Sequence, residues 1–123
     1  MFPQRVHLKK KTWDKLQYLQ TKTLVTPNVI ARIAILISVQ EKNITIKGKS
    51  ENKDHHVINR DVLFGQYEVV FRAILSQYCY ENNFSTNHIE TILNTLIENG
   101  LYKISHVKNL SDFVLSICDW QSQ

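Results

Sequence analysis

Residues 23–38 read TLVTPNVIARIAILIS, and this stretch decides the fold. Thr26 is a favourable helix N-cap, and Pro27 takes the first helical position, where its missing N–H costs nothing. The apolar side chains that follow recur at helical spacing: Val29, Ile30, Ile33, Ala34 and Ile37. Because Ile35 and Leu36 add apolar surface to the other faces, we expect this helix to be buried at the centre of the domain or between subunits.

Upstream of this helix, the sequence predicts one strand and one further helix. Residues 5–9 alternate polar with apolar side chains, which is the period of a half-buried strand with Val6 and Leu8 pointing inward. The outward residues of this strand are Arg5, His7 and Lys9. Thr12 is a favourable N-cap, and the apolar residues after it predict a helix from about residue 12 to residue 22.

Downstream, the pattern predicts a short strand, a loop and three more helices. Ile44 and Ile46 alternate with polar residues, which favours a strand, and residues 48–56 are polar and charged, as in an exposed loop. The predicted helices are Arg60–Cys79, Ser85–Gly100 and Leu110–Trp120. Gly100 is expected to close its helix in the left-handed conformation, and Gly65 interrupts the pattern of the helix before it.

Together these elements predict a mainly α-helical fold. We expect a compact single domain over residues 1–123, with four to five helices and one or two short strands. The order strand, helix, turn, helix in the amino-terminal half is similar to that of ribbon-helix-helix DNA-binding proteins, whose paired strands enter the major groove. An ordinary packed strand followed by two helices gives the same pattern, so both interpretations stay open.

Charge is distributed unevenly along the chain. The net charge is +4, but residues 1–49 carry ten Lys and Arg against two acids, a net +8, and the remaining residues carry five against nine, a net −4. A basic half indicates an anionic partner, and nucleic acid is the commonest one for a domain of this size. For the consecutive Lys9, Lys10 and Lys11 beside Arg5, phosphate binding and a merely solvated face both remain open.

Catalytic motifs are absent from the sequence. There is no P-loop, no GxGxxG, no nucleophile elbow and no HExxH spacing among the five histidines. Asp54, His55 and His56 fall in the predicted polar loop, where a solvated or weakly metal-binding cluster is expected. We therefore expect a protein that is not an enzyme and that uses no cofactor and no metal ion.

The cysteines and aromatic residues indicate packing roles. Cys79 and Cys118 lack CxxC spacing, fall among apolar residues of predicted helices and are interpreted as small core residues. Helical spacing favours core or interface packing for four aromatic residues: Trp13, Tyr18, Tyr67 and Tyr78.

Free cysteines, the lack of a signal-peptide pattern and the lack of a long apolar run predict a cytoplasmic protein that does not enter membranes.

Two sequence motifs resemble one known family. Residues 19–38, LQTKTLVTPNVIARIAILIS, with the TPN turn and the following R-x-A, resemble the DndE family of bacterial DNA sulfur modification proteins. Residues 59–65, NRDVLFG, look like the second motif of that family, and the placement of Gly100 and of the terminal helix is also similar. The likeness covers essentially the whole chain. It departs from the family at Leu24, where members commonly carry glycine.

The resemblance implies a function in DNA phosphorothioation, in which sulfur replaces a non-bridging phosphate oxygen. It implies a homotetrameric, DNA-binding and non-catalytic component that prefers nicked duplex. It also implies work beside three other proteins of the system: a cysteine desulfurase, an ATP-pyrophosphatase-like sulfur enzyme and an ATPase.

Charge and resemblance together select candidate DNA-binding residues. The first candidates for phosphate contact are Lys9, Lys10, Lys11, Lys15 and Lys22, and the secondary ones are Arg5 and His7. Arg32 either holds the TPN turn or contacts DNA. Two other functions remain open: a ribbon-helix-helix transcription regulator, and an adaptor whose basic half meets an acidic partner enzyme.

Overall fold

Helices dominate the fold, and two short strands complete it, as predicted. The computed structural model describes residues 1–46 and 54–121, with side chains up to residue 118. The elements, in chain order, are β1 (Arg5–Lys9), α1 (Lys10–Thr23), α2 (Pro27–Val39), β2 (His55–Asn59), α3 (Arg60–Phe64), α4 (Glu68–Asn82), α5 (Ile89–Ile104) and α6 (Leu110–Gln121). Short 3-10 turns at Gly65–Tyr67 and Thr86–His88 precede α4 and α5.

Strands β1 and β2 form an antiparallel ribbon. Val6 lies opposite Ile58, and both Val6 and Leu8 are fully buried, as the alternation predicts. The second strand is not the predicted one, because residues 44–46 have no regular structure and β2 begins at His55, at the end of the predicted loop. The rest of that loop, including Lys47, Lys49 and Lys53, lies outside the described residues.

The second edge of β1 is occupied by a side chain of α5. The amide of Asn94 accepts a hydrogen bond from the Lys9 backbone N–H (3.1 Å) and donates one to the His7 carbonyl (2.8 Å), in the way a neighbouring strand would. These two backbone groups on the outer edge of β1 are therefore already occupied and less available to a strand of a second chain. The arrangement therefore disfavours the subunit-to-subunit strand pairing of a ribbon-helix-helix dimer.

Helix α1 follows β1 without a turn. It begins at Lys10, so the expected N-cap role of Thr12 is wrong, and Thr12 is instead buried against the core. The helix ends at Thr23, and Leu24 adopts the left-handed conformation with φ 62° while its N–H donates to the Gln20 carbonyl. This is the C-cap position that glycine favours, because a side chain strains the left-handed backbone.

Helix α2 is the central element of the core, as its composition predicts. Pro27 stands at its first position, and the side chains of Ile30, Ala31, Ala34, Ile35 and Ile37 are buried. The helix packs on α1, α3 and, most extensively, on α5.

Gly100 lies within α5 and is a glycine because of close backbone contact with α2. The helix continues to Ile104, so the predicted left-handed C-cap at Gly100 is wrong. A Cβ atom at Gly100 would lie 2.6 Å from the carbonyl carbon of Ala34, which leaves no room for a side chain. One turn along α2, the buried Ser38 hydroxyl donates to the Leu96 carbonyl at 2.6 Å.

The helix predicted over residues 60–79 is divided in two. Gly65 has φ 56°, which the interior of an α-helix does not accommodate, and α4 starts afresh at Glu68. Beyond the break, Phe71, Leu75 and Tyr78 are buried as the pattern predicts. Tyr67 and Val70, which belong to the same predicted pattern, are exposed. Tyr67 lies beneath the Arg32 guanidinium, whose carbon is 5.6 Å from the ring centroid.

The other packing predictions are met in part. Cys79 and Tyr78 are buried and Trp13 is half-buried, but Cys118 is exposed, contrary to expectation. Tyr18 is exposed in the single chain, so of its two predicted roles only packing at an interface stays open. Among the described residues no single helix is long and apolar enough to cross a membrane. Helices α1 and α2 would be long and apolar enough if taken together, but the pair is bent by 107°.

Candidate nucleic-acid interface

One flank of α1 carries three lysines and a tyrosine in line. Lys11, Lys15, Tyr18 and Lys22 are spaced by four, three and four residues, which places them along a single stripe of the helix. The buried stripe of α1 is a different one, formed by Thr12, Leu16, Leu19 and Thr23. We call Lys11, Lys15 and Lys22 the lysine row. It extends about 16 Å along the helix axis.

The two ends of the lysine row are open to an anion, and Lys15 between them lines a cavity with Glu41 and Glu98. Lys11 and Lys22 are exposed and Lys15 is half-buried, and in the part of the chain that the structure describes none of them forms an ion pair. Lys22 Nζ lies 5.4 Å from the centroid of the Tyr18 ring. Lys10 is also exposed and begins the same helix, which contains a single acid, Asp14.

Two of the predicted strand residues face carboxylates of α5. His7 Nδ1 lies 3.4 Å from Glu90 Oε2, and Lys9 Nζ lies 3.7 Å from Glu98 Oε2. Arg5, in contrast, is exposed at the start of β1. Within residues 1–46 and 54–118, the seven predicted residues thus divide into two sets: those on α1 together with Arg5, which form no ion pair there, and His7 and Lys9 on β1, which already face carboxylates.

The histidines of β2 lie on opposite faces of the ribbon. His56 stacks on the Trp13 indole, with ring centroids 3.8 Å apart and planes within 5°, whereas His55 meets the edge of His7 at 6.2 Å. Neighbouring residues of a strand point to opposite faces, so Asp54, His55 and His56 do not gather as the cluster expected in a loop. No group of three metal-ligating side chains occurs in residues 1–46 and 54–118.

Arg32 joins the two sequence motifs. Its Nε–H donates to the Asn28 carbonyl at 3.3 Å, and its guanidinium covers Tyr67 just beyond the second motif. Asn28 Nδ2 in turn donates to the Val62 carbonyl at 3.1 Å. The structural alternative for Arg32 therefore accounts for its position, because the arginine and the TPN turn hold α2 against the NRDVLFG segment.

A family model that covers most of the chain decides which family it belongs to. A model of the family described as DNA sulphur modification protein DndE matches residues 5–112. The chain belongs to the DndE family. The match includes both strands, α1 to α5 and the start of α6, so the lysine row and the Arg32 contacts lie inside the DndE region. No curated protein sequence matches the chain.

Two solved DndE structures have a similar fold. The crystal structure of DndE from Escherichia coli B7A, involved in DNA phosphorothioation modification, has a TM-score of 0.71 and 23% identity, and the match covers 83% of this chain and 96% of that one. A DndE G21/24K mutant involved in DNA phosphorothioation has a TM-score of 0.67 and 22% identity, covering 83% and 97%. At this identity the likeness shows the fold, and the family places the chain in DNA sulfur modification.

Sequence reasoning missed two features of the surface. Core or interface packing is predicted for Tyr18, and in the single chain 55% of it is exposed beside the row. The spacing of Tyr18 from Lys15 and Lys22 places it on the same stripe of α1, and this spacing can be read from the sequence. Leu24 is 86% exposed, and only the family comparison marked it as unusual.

Proposed function

We propose that this chain is a non-catalytic DNA-binding component of the phosphorothioation system, and that it holds duplex DNA by the phosphate backbone along the lysine row. The observation that carries the proposal is the single open stripe of Lys11, Lys15 and Lys22 on α1. Unpaired ammonium groups bind phosphates as point charges and release counterions from DNA. Lys10 and Arg5 extend the basic surface at either side of the β1–α1 junction.

The length of the row fits a stretch of DNA backbone. Phosphates of one strand advance 3.4 Å each along the duplex axis, so a row of about 16 Å spans the rise of about five of them. His7 and Lys9 contribute less in this account, because the carboxylates of Glu90 and Glu98 already lie beside them. Binding of this kind is independent of base sequence.

A non-catalytic role is supported by the roles that polar side chains already have. His7 contacts Glu90, His56 stacks on Trp13, and Glu68 pairs with both Arg60 and Arg72. These contacts stabilise the fold and bring no nucleophile and base together. We assign the chemistry of sulfur insertion to the enzymes of the system, which are a cysteine desulfurase, an ATP-pyrophosphatase-like enzyme and an ATPase, and we place the chain beside them in the cytoplasm.

A homo-oligomer, most simply the tetramer that the resemblance implies, would multiply the row. Large apolar side chains of α4 are exposed, with Val69 at 72%, and Val70 and Tyr80 lie on the same helix. A cavity of 390 Å³ beside them is lined by Val39 of α2 and by Ala73, Ile74, Gln77, Tyr78 and Glu81 of α4. Exposed apolar surface of this extent favours association between copies. Each copy would then add its own row to one DNA site.

Binding of matched duplexes tests the proposed function. Fluorescence anisotropy with intact, nicked and sequence-scrambled duplexes, at 50 to 200 mM salt, should give similar affinities for the two intact sequences, tighter binding to the nicked one, and a decrease of about a thousandfold over the salt range if six contacts form. A strong loss of affinity on scrambling would favour a transcription regulator. No binding to any duplex would favour the adaptor, and either result would reject the proposal.

A further inference from the structure

A polar cavity of 360 Å³ lies where α1 and α5 meet the segment that follows α2, residues 40–46. Its volume is in the range of pockets that bind small molecules. Lys15 of α1, Lys42 of the segment and Tyr102 of α5 all line it. The cavity therefore joins one lysine of the row to side chains from two other parts of the chain.

The two carboxylates that line the cavity already face lysines. Glu41 Oε1 lies 2.9 Å from Lys103 Nζ, and Glu41 Oε2 accepts a hydrogen bond from the Asn99 amide at 3.1 Å. Glu98 Oε2 lies 3.7 Å from Lys9 Nζ. Because each acid of the wall has a cation beside it, neither leaves its full negative charge to repel an anion in the cavity.

Lys15 and Lys42 add positive charge beyond these pairs. In residues 1–46 and 54–118 neither of them forms an ion pair. The four lysines in and around the wall, against its two carboxylates, give 4 − 2 = +2. The segment that carries Lys42 is fixed at its start, where the Glu41 N–H donates to the Ser38 carbonyl at 3.0 Å. The cavity thus offers two ammonium groups to an anion from a backbone that is already ordered.

Tyr102 adds an aromatic surface at the mouth of the cavity. It lines the cavity, and yet 75% of it is exposed, so its ring lies at the opening. An exposed aromatic ring stacks on a nucleic-acid base of any kind. An inorganic anion would use the lysines alone, and a nucleoside would use the ring alone. A nucleotide uses both, because it joins an anionic phosphate to a flat aromatic base.

We propose that this cavity binds a nucleotide, with its phosphate at Lys15 and Lys42 and its base on the Tyr102 ring. The inference goes beyond the proposed function, because it needs the cavity and a single lysine of the row. The nucleotide is either a free mononucleotide or an unpaired nucleotide of a DNA strand that the row holds. The same groups recognise it in both cases.

Titration of the full chain with 2′-deoxyadenosine 5′-monophosphate, followed by NMR, tests the site. Inorganic phosphate and 2′-deoxyadenosine, which each carry only one of the two recognised groups, should bind at least tenfold more weakly. Tyr102→Ala should weaken binding of the monophosphate about tenfold and leave binding of inorganic phosphate unchanged, because the ring meets only the base. Tyr102→Phe keeps the ring and should retain the wild-type affinity.

A lysine variant with a matched control tests the phosphate contact. Lys42→Gln should weaken the binding of the monophosphate and of inorganic phosphate by the same factor, and should not change that of 2′-deoxyadenosine. Lys108→Gln removes an equally exposed lysine outside the cavity and should change none of the three affinities. The proposal is overturned if the wild-type chain does not bind the monophosphate at millimolar concentration, or if Tyr102→Ala binds it as tightly as the wild-type chain.

A duplex with a single-stranded 5′ extension distinguishes the two sources of the nucleotide. If the site takes an unpaired nucleotide of DNA, the wild-type chain should bind this duplex more tightly than a blunt one, and Tyr102→Ala should remove the difference. Equal affinities, together with binding of the monophosphate, would assign the site to a free nucleotide. Binding of the monophosphate without binding of any duplex would reject the proposed function and keep the nucleotide site. Binding of duplex without binding of the monophosphate would reject the nucleotide site alone.

Discussion

Gly100 and Ala34 bring α5 and α2 together backbone to backbone, since a Cβ atom on Gly100 would lie only 2.5 Å from the Cα of Ala34. Within an exposed helix, replacing glycine by alanine stabilises by about 1 kcal/mol. Here the methyl group would push the two central helices apart.

Gly100→Ala should therefore lower the free energy of unfolding by about 1–3 kcal/mol, because an overpacked core strains the atoms around it. Guanidinium denaturation of the variant and the wild-type chain measures the difference. Equal or greater stability of the variant would show that the two backbones are not in contact.

Leu24→Gly should raise the free energy of unfolding, in contrast. Glycine relieves the strain of the left-handed conformation, and the gain is reduced by the greater freedom of glycine in the unfolded chain, so a net increase of about 0.5–1 kcal/mol is expected. Thermal unfolding at two protein concentrations measures it. If the variant is instead less stable than the wild-type chain, and the difference grows with protein concentration, the Leu24 side chain lies in a subunit contact.

Asn94→Ala should uncover the outer edge of β1. The Lys9 N–H and the His7 carbonyl would lose their partner, which we expect to cost about 1–3 kcal/mol of folding stability. Hydrogen exchange of the Lys9 amide should become faster, and the free edge should promote aggregation. Unchanged exchange at Lys9 would contradict the strand-like role of Asn94.

The two cysteines should react differently. Burial raises the pKa of the Cys79 thiol, so little thiolate forms there at pH 8, while Cys118 is exposed. A thiol reagent should label one cysteine per folded chain, at Cys118, and the second only after unfolding. Because the unfolded thiol ionises at lower pH than the folded one, the stability that Cys79 contributes should be present at neutral pH and lost as pH rises.

Replacing both cysteines with serine should leave DNA affinity unchanged. Loss of binding by a folded double variant would contradict their assignment outside the DNA surface.

Elements with a strong local signal could be predicted from the sequence. The TPN turn, the apolar run of α2 and the alternation of Val6 and Leu8 specify their own structure and appear where expected. The partner of β1 could not be predicted, because strand pairing depends on contacts between distant residues. The same limit applies to Gly100, which looks like a helix end in the sequence. The reason for a glycine there is the close approach of Ala34, a residue distant in the sequence.

The candidate site was predictable to a similar degree. The sequence identifies the basic half of the chain and the lysines within it. Which of them remain unpaired depends on α5, whose Glu90 and Glu98 reach His7 and Lys9 and leave the lysine row open. Such pairings across more than eighty residues have no local signal.

The salt dependence of DNA binding by a triple variant tests the central claim most directly. Lys11, Lys15 and Lys22 are changed together to Gln, and the control changes the exposed Arg72, Lys103 and Lys108 to Gln, so that both variants lose the same charge. If the lysine row holds phosphates, the first variant should bind every duplex more weakly, and its slope of log affinity against log salt should be shallower by about two to three units. The control should keep the wild-type slope. Equal slopes in all three proteins would contradict the account.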